Sequence, residues 1–179
     1  EGTLCFITKI TLKLRSLPSN YRAAVCVHFK TLEESFVANL TCLKQSPIAV
    51  ELMDNNIIEA ARRNAGQREN LFFVEGTPKA IIIDEICKES EDELNDAIEN
   101  TIKELKDKNL GYSYPIVKGN DIKRVWELRK AGLGLLTNIP GSNKPVSVVE
   151  DTAVAVKYLP DYMRDFGVLL KKYNLSCVY

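Results

Sequence analysis

The chain has 179 residues, and 45% of them are hydrophobic, which is enough for one domain with a buried core and too little for two ordinary domains. Lys and Arg together number 24, as do Asp and Glu, so the formal net charge is zero. Nucleic acid is an unfavourable partner because no basic excess is available to contact a phosphate backbone. We expect no membrane span, since no apolar run reaches the required length, and no signal peptide, since no basic n-region precedes an apolar h-region.

The cysteines are odd in number, far apart and without a CxxC pair; they are Cys5, Cys26, Cys42, Cys87 and Cys177. This usage is typical of free thiols in a reducing compartment. We therefore expect a cytoplasmic protein, at most peripheral to the inner face of a membrane. Cys26 and Cys87 lie in apolar runs, which favours buried small side chains over a catalytic thiol. His28 is the only histidine, so we expect a surface or hydrogen-bonded structural residue and no His-rich metal site within the chain.

Residues 4–14 alternate between apolar and other side chains, which predicts a long strand ended by Pro18 and Asn20. A βαβ pattern follows, with strands at 23–29 and 48–52. The helix between them has Thr31 as its N-cap and Glu34 three residues later, a predicted capping box. The next predicted elements are a short helix, a loop and a strand, at residues 54–64, 66–70 and 71–74.

The pattern recurs between residues 79 and 117, with strands at 80–86 and 112–117. Ser90 and Glu93 form a second predicted capping box, and apolar residues at helical spacing follow them. Two such units with short connections predict an α+β fold: ferredoxin-like βαβ units that form a mainly antiparallel sheet with helices packed on it.

A third unit is predicted to begin with a helix capped by Asn120 or Asp121 and ending near Arg129. A Gly-rich loop at 132–144 and a strand at 146–149 follow. Pro160 is typical of the first turn of a last helix. A strand at 175–179 ends the chain, so we expect this final unit to be truncated.

The Gly-rich loop invites a cofactor-binding interpretation, which we reject. In Gly132-Leu133-Gly134 the third glycine of a dinucleotide fingerprint is replaced by Thr137, and the motif closes a helix instead of following a strand. The stretch 141–144 lacks the Lys-Ser or Lys-Thr pair of a P-loop.

Three charged side chains have both a structural and a functional interpretation. Arg129, near a predicted helix end, could serve the helix dipole, or its planar guanidinium could bind a substrate carboxylate. Glu150 and Asp151 follow a predicted strand, where adjacent carboxylates are usually solvated. On these signals alone the function of the α+β domain stays open.

Residues 126–136, 139–145 and 149–154 closely resemble the C-terminal domain of FAD-linked oxidases. The likeness is greatest to the branch in which an iron–sulfur module follows this domain, related to D-lactate dehydrogenase, the glycolate oxidase flavin subunit and D-2-hydroxyglutarate dehydrogenase. Residues 49–54 resemble a further family signature, and residues 1–8 are similar to the last strand of the FAD-binding domain. The resemblance therefore covers nearly the whole chain.

The resemblance implies the substrate-binding part of a flavin-dependent dehydrogenase that oxidises a D-2-hydroxy acid of the lactate, glycolate or 2-hydroxyglutarate type to the 2-oxo acid. It implies that Arg129 clamps the substrate carboxylate. The other residues implicated are Lys144 as a second positive charge, Glu150 and Asp151 shaping the same pocket, and Gly2 and Thr3 approaching FAD through their backbone.

The same resemblance divides the chain into residues 1–18, the last strand of the FAD-binding domain, and residues 19–179, an incomplete substrate (cap) domain. The catalytic base, the ligands of a divalent metal, iron–sulfur clusters and most FAD contacts are then expected outside this chain, which would be inactive alone. The partner is a small 2-hydroxy acid, the electron acceptor stays open, and a homodimer is compatible with the sequence. The alternative is a non-catalytic ferredoxin-like interaction domain, because such a layer by itself implies no chemistry.

Overall fold

The computed structural model describes residues 4–14, 17–138, 141–142, 144–146, 149 and 152–179. Its strands are β1 Tyr21–Phe29, β2 Ala49–Asp54, β3 Ala80–Lys88 and β4 Ile116–Lys118. Its helices are α1 Leu32–Cys42, α2 Asn55–Arg63, α3 Glu91–Asp107, α4 Asp121–Thr137 and α5 Leu159–Lys172. Short 3-10 turns occur at Leu43–Gln45, Arg68–Leu71 and Val156–Tyr158.

The strands form one sheet in the order β2-β3-β1-β4, and every neighbouring pair is antiparallel. β3 lies between β1 and β2, and β1 lies between β3 and β4, so the two βαβ units interleave as in a ferredoxin-like layer. The predicted α+β fold, with helices packed on a mainly antiparallel sheet, is confirmed.

Side chains of the central strands alternate between two hydrophobic layers, because successive residues of a strand point to opposite faces. One layer joins the sheet to α2 and α4, with Cys26, Ile83 and Leu128 among its buried residues. The other joins the sheet to α1 and α3, with Val25 and Leu105 among its buried residues. α5 packs against α1. Both faces of β1 and β3 are therefore covered by helices.

Helices α1 and α3 start at their predicted cap residues, whereas Asn120 at the start of α4 makes no side-chain cap bond. Thr31 Oγ1 accepts a hydrogen bond from Glu34 N at 3.3 Å and Glu34 Oε2 accepts one from Thr31 N at 3.2 Å, so the first predicted capping box is confirmed. Ser90 Oγ accepts from Glu93 N at 3.2 Å, but Glu93 Oε2 accepts from Glu89 N instead of Ser90 N. Only one of the two hydrogen bonds predicted for the second capping box is therefore formed.

Two further predictions are wrong. Residues 71–74 form no strand; Leu71 ends a 3-10 turn, and Leu71 and Phe73 are buried in the layer below α4. Their apolar character reflects packing and not strand pairing. Helix α4 continues through Gly132 and Gly134 to Thr137, where a loop was predicted. A Cβ at Gly132 would lie 3.4 Å from Ile57 Cδ1, so close packing on α2 outweighs the low helix propensity of glycine.

The predicted strands near the two ends also differ from the structure. Residues 4–14 form no strand, and their large apolar side chains are exposed, with Leu4 at 97% and Phe6 at 98%. A strand requires a hydrogen-bonded neighbour, and no described segment lies beside this one. Residues 175–179 are irregular, although Asp54 N donates to Tyr179 O at 3.2 Å. The predicted strand at 146–149 includes residues 147–148, which lie outside the described residues.

All the cysteines are free thiols, as predicted from their spacing. Cys26 and Cys42 are buried, whereas Cys87 is half-buried and lies 3.6 Å from the carbonyl oxygen of Ser19. Burial raises the pKa of the Cys26 thiol to about 12, with a smaller rise from the charge of Asp84. Such a thiol stays protonated and behaves as a small apolar side chain. None of the helices in the described ranges is long and apolar enough to span a membrane.

Candidate functional site

Arg129 lies in the middle of α4, not near a helix end. Because α4 extends to Thr137, two further turns follow Arg129 before the helix ends. The helix dipole acts mainly on the first and last turns, so it does not explain an arginine at this position. The position of this cation needs another explanation, and its contacts provide one.

The guanidinium of Arg129 is paired with Glu51, which reaches it from β2. Arg129 Nε and Nη2 donate to the same atom, Glu51 Oε2, at 3.0 Å and 2.8 Å. Each side chain is 40% exposed. A charge-assisted hydrogen bond of this geometry orients the guanidinium plane, so Arg129 is both reachable from solvent and fixed in direction.

A second acidic side chain holds α4 to the same face of the sheet. Trp126 Nε1 donates to Glu85 Oε2 at 2.7 Å, and Arg22 Nη1 lies 3.6 Å from Glu85 Oε1. Glu51 faces Ile83 across the β2–β3 ladder. Ile83 is two residues before Glu85 in β3, so both carboxylates project from one face of the sheet. Two contacts therefore set the position of α4 over the sheet.

The sequence reasoning missed Glu51 as a member of this site. Its segment, 49–54, was noted only as a family signature. A signal was available: in this apolar strand Glu51 alternates with Val50 and Leu52, which places one carboxylate on the face opposite two apolar side chains. A carboxylate on a helix-covered face needs a donor or a cation, and α4 supplies one.

The remaining predicted site residues are placed only in part. Lys144 is exposed in irregular chain beyond α4. Glu150, Asp151, Gly2 and Thr3 lie outside the described residues.

A cleft of about 280 Å³ runs along the outer edge of β2, between α1 and α5. Its walls include Phe36, Leu52, Met163 and Tyr179, and Glu51 also lines it. Glu51 therefore connects this mainly apolar cleft with the cation on α4.

His28 is a structural residue, as one of the interpretations from sequence predicted. It is buried in β1; Nε2 accepts a hydrogen bond from Glu75 N at 3.0 Å, and Nδ1 lies 2.8 Å from Cys26 O. Acceptance at Nε2 places the proton of the neutral ring on Nδ1, which then donates to Cys26 O. Burial lowers the pKa of His28, against a smaller opposing effect of the Cys26 carbonyl. Nε2 thus holds the Glu75 loop to the sheet, and Nδ1 is occupied by a carbonyl of its own strand.

Asp84 is a buried carboxyl that no sequence signal distinguished. It lies in β3 on the face covered by α1 and α3, opposite to that of Arg129. In the described part of the chain neither of its oxygens accepts a hydrogen bond from a nitrogen or a hydroxyl group, and the thiol of Cys42 is a weak neighbouring donor. Burial raises the pKa of Asp84 to about 7, and the thiol of Cys42 acts in the opposite direction. Its place in the fold separates it from the Arg129 site.

Cofactor ligands are sparse in the part of the chain that the structure describes. No group of three His, Cys, Asp or Glu side chains there is arranged to hold a metal ion. Gly132 and Gly134 lie inside α4, and the described residues contain no Gly-x-Gly turn between a strand and a helix for a dinucleotide pyrophosphate. The rejection of the dinucleotide loop agrees with this geometry.

Fold and site together define a class: an α+β domain whose helix presents an oriented arginine beside an antiparallel sheet, with no nucleotide-binding loop in its described residues. Residues 18–179 match the family described as FAD linked oxidases, C-terminal domain. The chain belongs to this family, as its resemblance implied. The family consists of FAD-dependent oxidoreductases, so FAD is the cofactor that membership implies.

Similarity to curated proteins points in the same direction. The chain is 26% identical over 185 residues to a D-2-hydroxyglutarate dehydrogenase of Pseudomonas putida, a match that covers 98% of the chain. Enzymes of the same description from Haemophilus influenzae and Escherichia coli are 25% and 24% identical over 187 and 186 residues, again across 98% of the chain. The chain spans 18% of the length of each of these relatives.

Proposed function

We propose that this chain is the substrate-binding (cap) domain of an FAD-dependent dehydrogenase that oxidises a D-2-hydroxy acid to the 2-oxo acid. The observation that carries the proposal is the oriented, 40% exposed guanidinium of Arg129. The names of the relatives favour 2-hydroxyglutarate over lactate or glycolate as the substrate type.

In this proposal Arg129 binds the substrate carboxylate. Glu51 accepts hydrogen bonds from two of the five N–H donors of the guanidinium. Among the described residues Nη1 has no acceptor, so the outer edge of the guanidinium can donate to a carboxylate in a bidentate manner. Lys144 adds positive charge, and Glu150 and Asp151 shape the pocket.

FAD would supply the acceptor for a hydride from the substrate C2. The described residues offer no nucleotide loop, so we assign the main FAD contacts to other parts of the intact protein, with Gly2 and Thr3 as additional backbone contacts. We also assign the catalytic base, a divalent metal and iron–sulfur clusters to those parts. The 179-residue chain alone is then inactive, and a yellow preparation that reduces a dye with a D-2-hydroxy acid would contradict this assignment.

We further propose a domain boundary at residue 18, with residues 1–18 belonging to the FAD-binding domain and 19–179 to the cap. The family match begins at residue 18. The exposed apolar side chains between Leu4 and Leu14 fit a strand that pairs within that other domain. A cytoplasmic enzyme, peripheral to a membrane at most and able to form a homodimer, is consistent with this organisation.

Replacement of Arg129 in the intact flavoprotein tests the proposal. Arg129→Ala removes charged hydrogen bonds to the substrate, and a loss of about 3 kcal/mol corresponds to a roughly 100-fold decrease in kcat/KM for D-2-hydroxyglutarate. The matched control is Lys130→Ala, which removes the adjacent exposed cation of α4 and is expected to leave kcat/KM unchanged. Unchanged kinetics in Arg129→Ala would refute the role and favour the alternative of a non-catalytic interaction domain.

A further inference from the structure

We propose that Glu51 is a positioning residue, which holds the inner edge of the Arg129 guanidinium so that the outer edge points at the substrate carboxylate. This inference rests on the proposed function of Arg129. It adds a residue from β2 to the predicted substrate-binding residues, which all lie in and after α4.

The geometry of the pair supports this role. Arg129 Nε and Nη2 both donate to Glu51 Oε2, at 3.0 Å and 2.8 Å. These bonds use the edge of the guanidinium nearest to its own side chain. The opposite edge, formed by Nη1 and the second hydrogen of Nη2, keeps the parallel donors that match a carboxylate. Glu51 therefore fixes the orientation of Arg129 without occupying the edge that a substrate needs.

The two ends of the contact are held by rigid elements. Glu51 is in β2, where its backbone faces Ile83 of β3, and α4 is tied to the same face by the bond from Trp126 to Glu85. A free arginine side chain loses rotamer freedom when it binds a ligand. A guanidinium already oriented by Glu51 has lost much of that freedom before the substrate arrives, which favours binding.

Substitutions at position 51 distinguish the orienting effect of the Glu51 acceptor from the effect of its negative charge. Glu51→Ala removes the acceptor, so Arg129 is no longer oriented and we expect KM for D-2-hydroxyglutarate to rise roughly tenfold, with kcat within about threefold. Glu51→Gln keeps an oxygen acceptor that can hold Nε and Nη2, so we expect most of the loss to be rescued. A purely structural role would instead lower the melting temperature and the active fraction without raising KM.

The experiment uses the intact flavoprotein with Glu51→Ala, Glu51→Gln, Arg129→Ala and the double variant Glu51→Ala/Arg129→Ala. The matched control is Glu127→Ala, which removes an exposed α4 carboxylate that lies 3.8 Å from Lys123. We expect the control to have normal KM, and the double variant to be no worse than Arg129→Ala alone, because Glu51 acts through Arg129.

The outcomes separate the two proposals. If Arg129→Ala impairs the enzyme but Glu51→Ala has a normal KM, Glu51 has no positioning role and the substrate role of Arg129 stands. If the losses of the double variant add, Glu51 acts independently of Arg129 and the inference is wrong. If Arg129→Ala has normal kinetics, the proposed function fails and the role of Glu51 fails with it.

Discussion

Asp84 is expected to make the stability of this domain decrease as the pH rises. Its carboxyl is buried in β3, opposite Val25 and Val50 of the neighbouring strands. Burial raises the pKa of Asp84 from 3.8 to about 7. The folded state therefore keeps the proton that the unfolded chain releases, and the stabilisation by protonation is complete below about pH 4 and lost progressively as the pH rises to about 7. One unit of pKa difference between the folded and unfolded states corresponds to about 1.4 kcal/mol. Burial of the ionised carboxylate above pH 7 therefore lowers the free energy of unfolding by about 4 kcal/mol.

The substitution Asp84→Asn tests this dependence, because asparagine has nearly the same shape and no titratable proton. Between pH 5 and pH 8 the free energy of unfolding of Asp84→Asn should rise by about 3 kcal/mol relative to that of the unmodified chain. Urea unfolding of both proteins at several pH values measures this difference. Asp96→Asn, at an exposed position of α3, is the matched control, because it makes the same change of side chain outside the core.

A constant difference between Asp84→Asn and the unmodified chain across that pH range would refute the reasoning. It would mean that Asp84 is ionised in the folded state and is stabilised by a partner or by water.

Two further predictions concern the backbone and the buried histidine. At Gly111 φ is +81° and a Cβ would lie 2.8 Å from a valine side chain, so Gly111→Ala should lower the free energy of unfolding by at least about 1 kcal/mol. Gly134→Ala, at an open position of α4, should raise it by up to about 1 kcal/mol; urea unfolding compares the two, and equal effects would contradict the structure. Burial lowers the pKa of His28 below its usual 6.5, so the domain should lose stability as the pH falls below about 6.5, when the unfolded chain takes up a proton more readily than the folded one. An NMR titration of the buried His28 imidazole should give a midpoint below pH 6.5. A midpoint at or above that value would show that the ring is not buried as a neutral acceptor of the Glu75 N–H.

Local features of the fold were predictable because their causes lie within a few residues. The Thr31 cap and its Glu34 partner are three residues apart, and the apolar runs of β1 and β3 identify strands buried on both faces. Recurrence of the same pattern was enough to predict the ferredoxin-like layer. Arg129 was found because its surroundings in the sequence carry a family signature, not because its chemistry was unusual.

Other features required the folded chain. The sequence could not show that α4 continues through Gly132, because that depends on contact with Ile57 of α2. The segment 71–74 has the composition of a strand, but it does not pair with the sheet and packs in the hydrophobic layer beneath α4. In both cases packing between distant segments outweighed local preference.

Local sequence was enough to predict the order of most strands and helices, the capping box of α1 and the family to which the chain belongs. The pairing and burial of charged groups required the folded chain: Glu51 and Arg129 are 78 residues apart in the chain, and Asp84 loses its solvent only when helices cover β3. Pairing and burial of charges depend on distances through space, which hydrophobic periodicity along the chain does not encode.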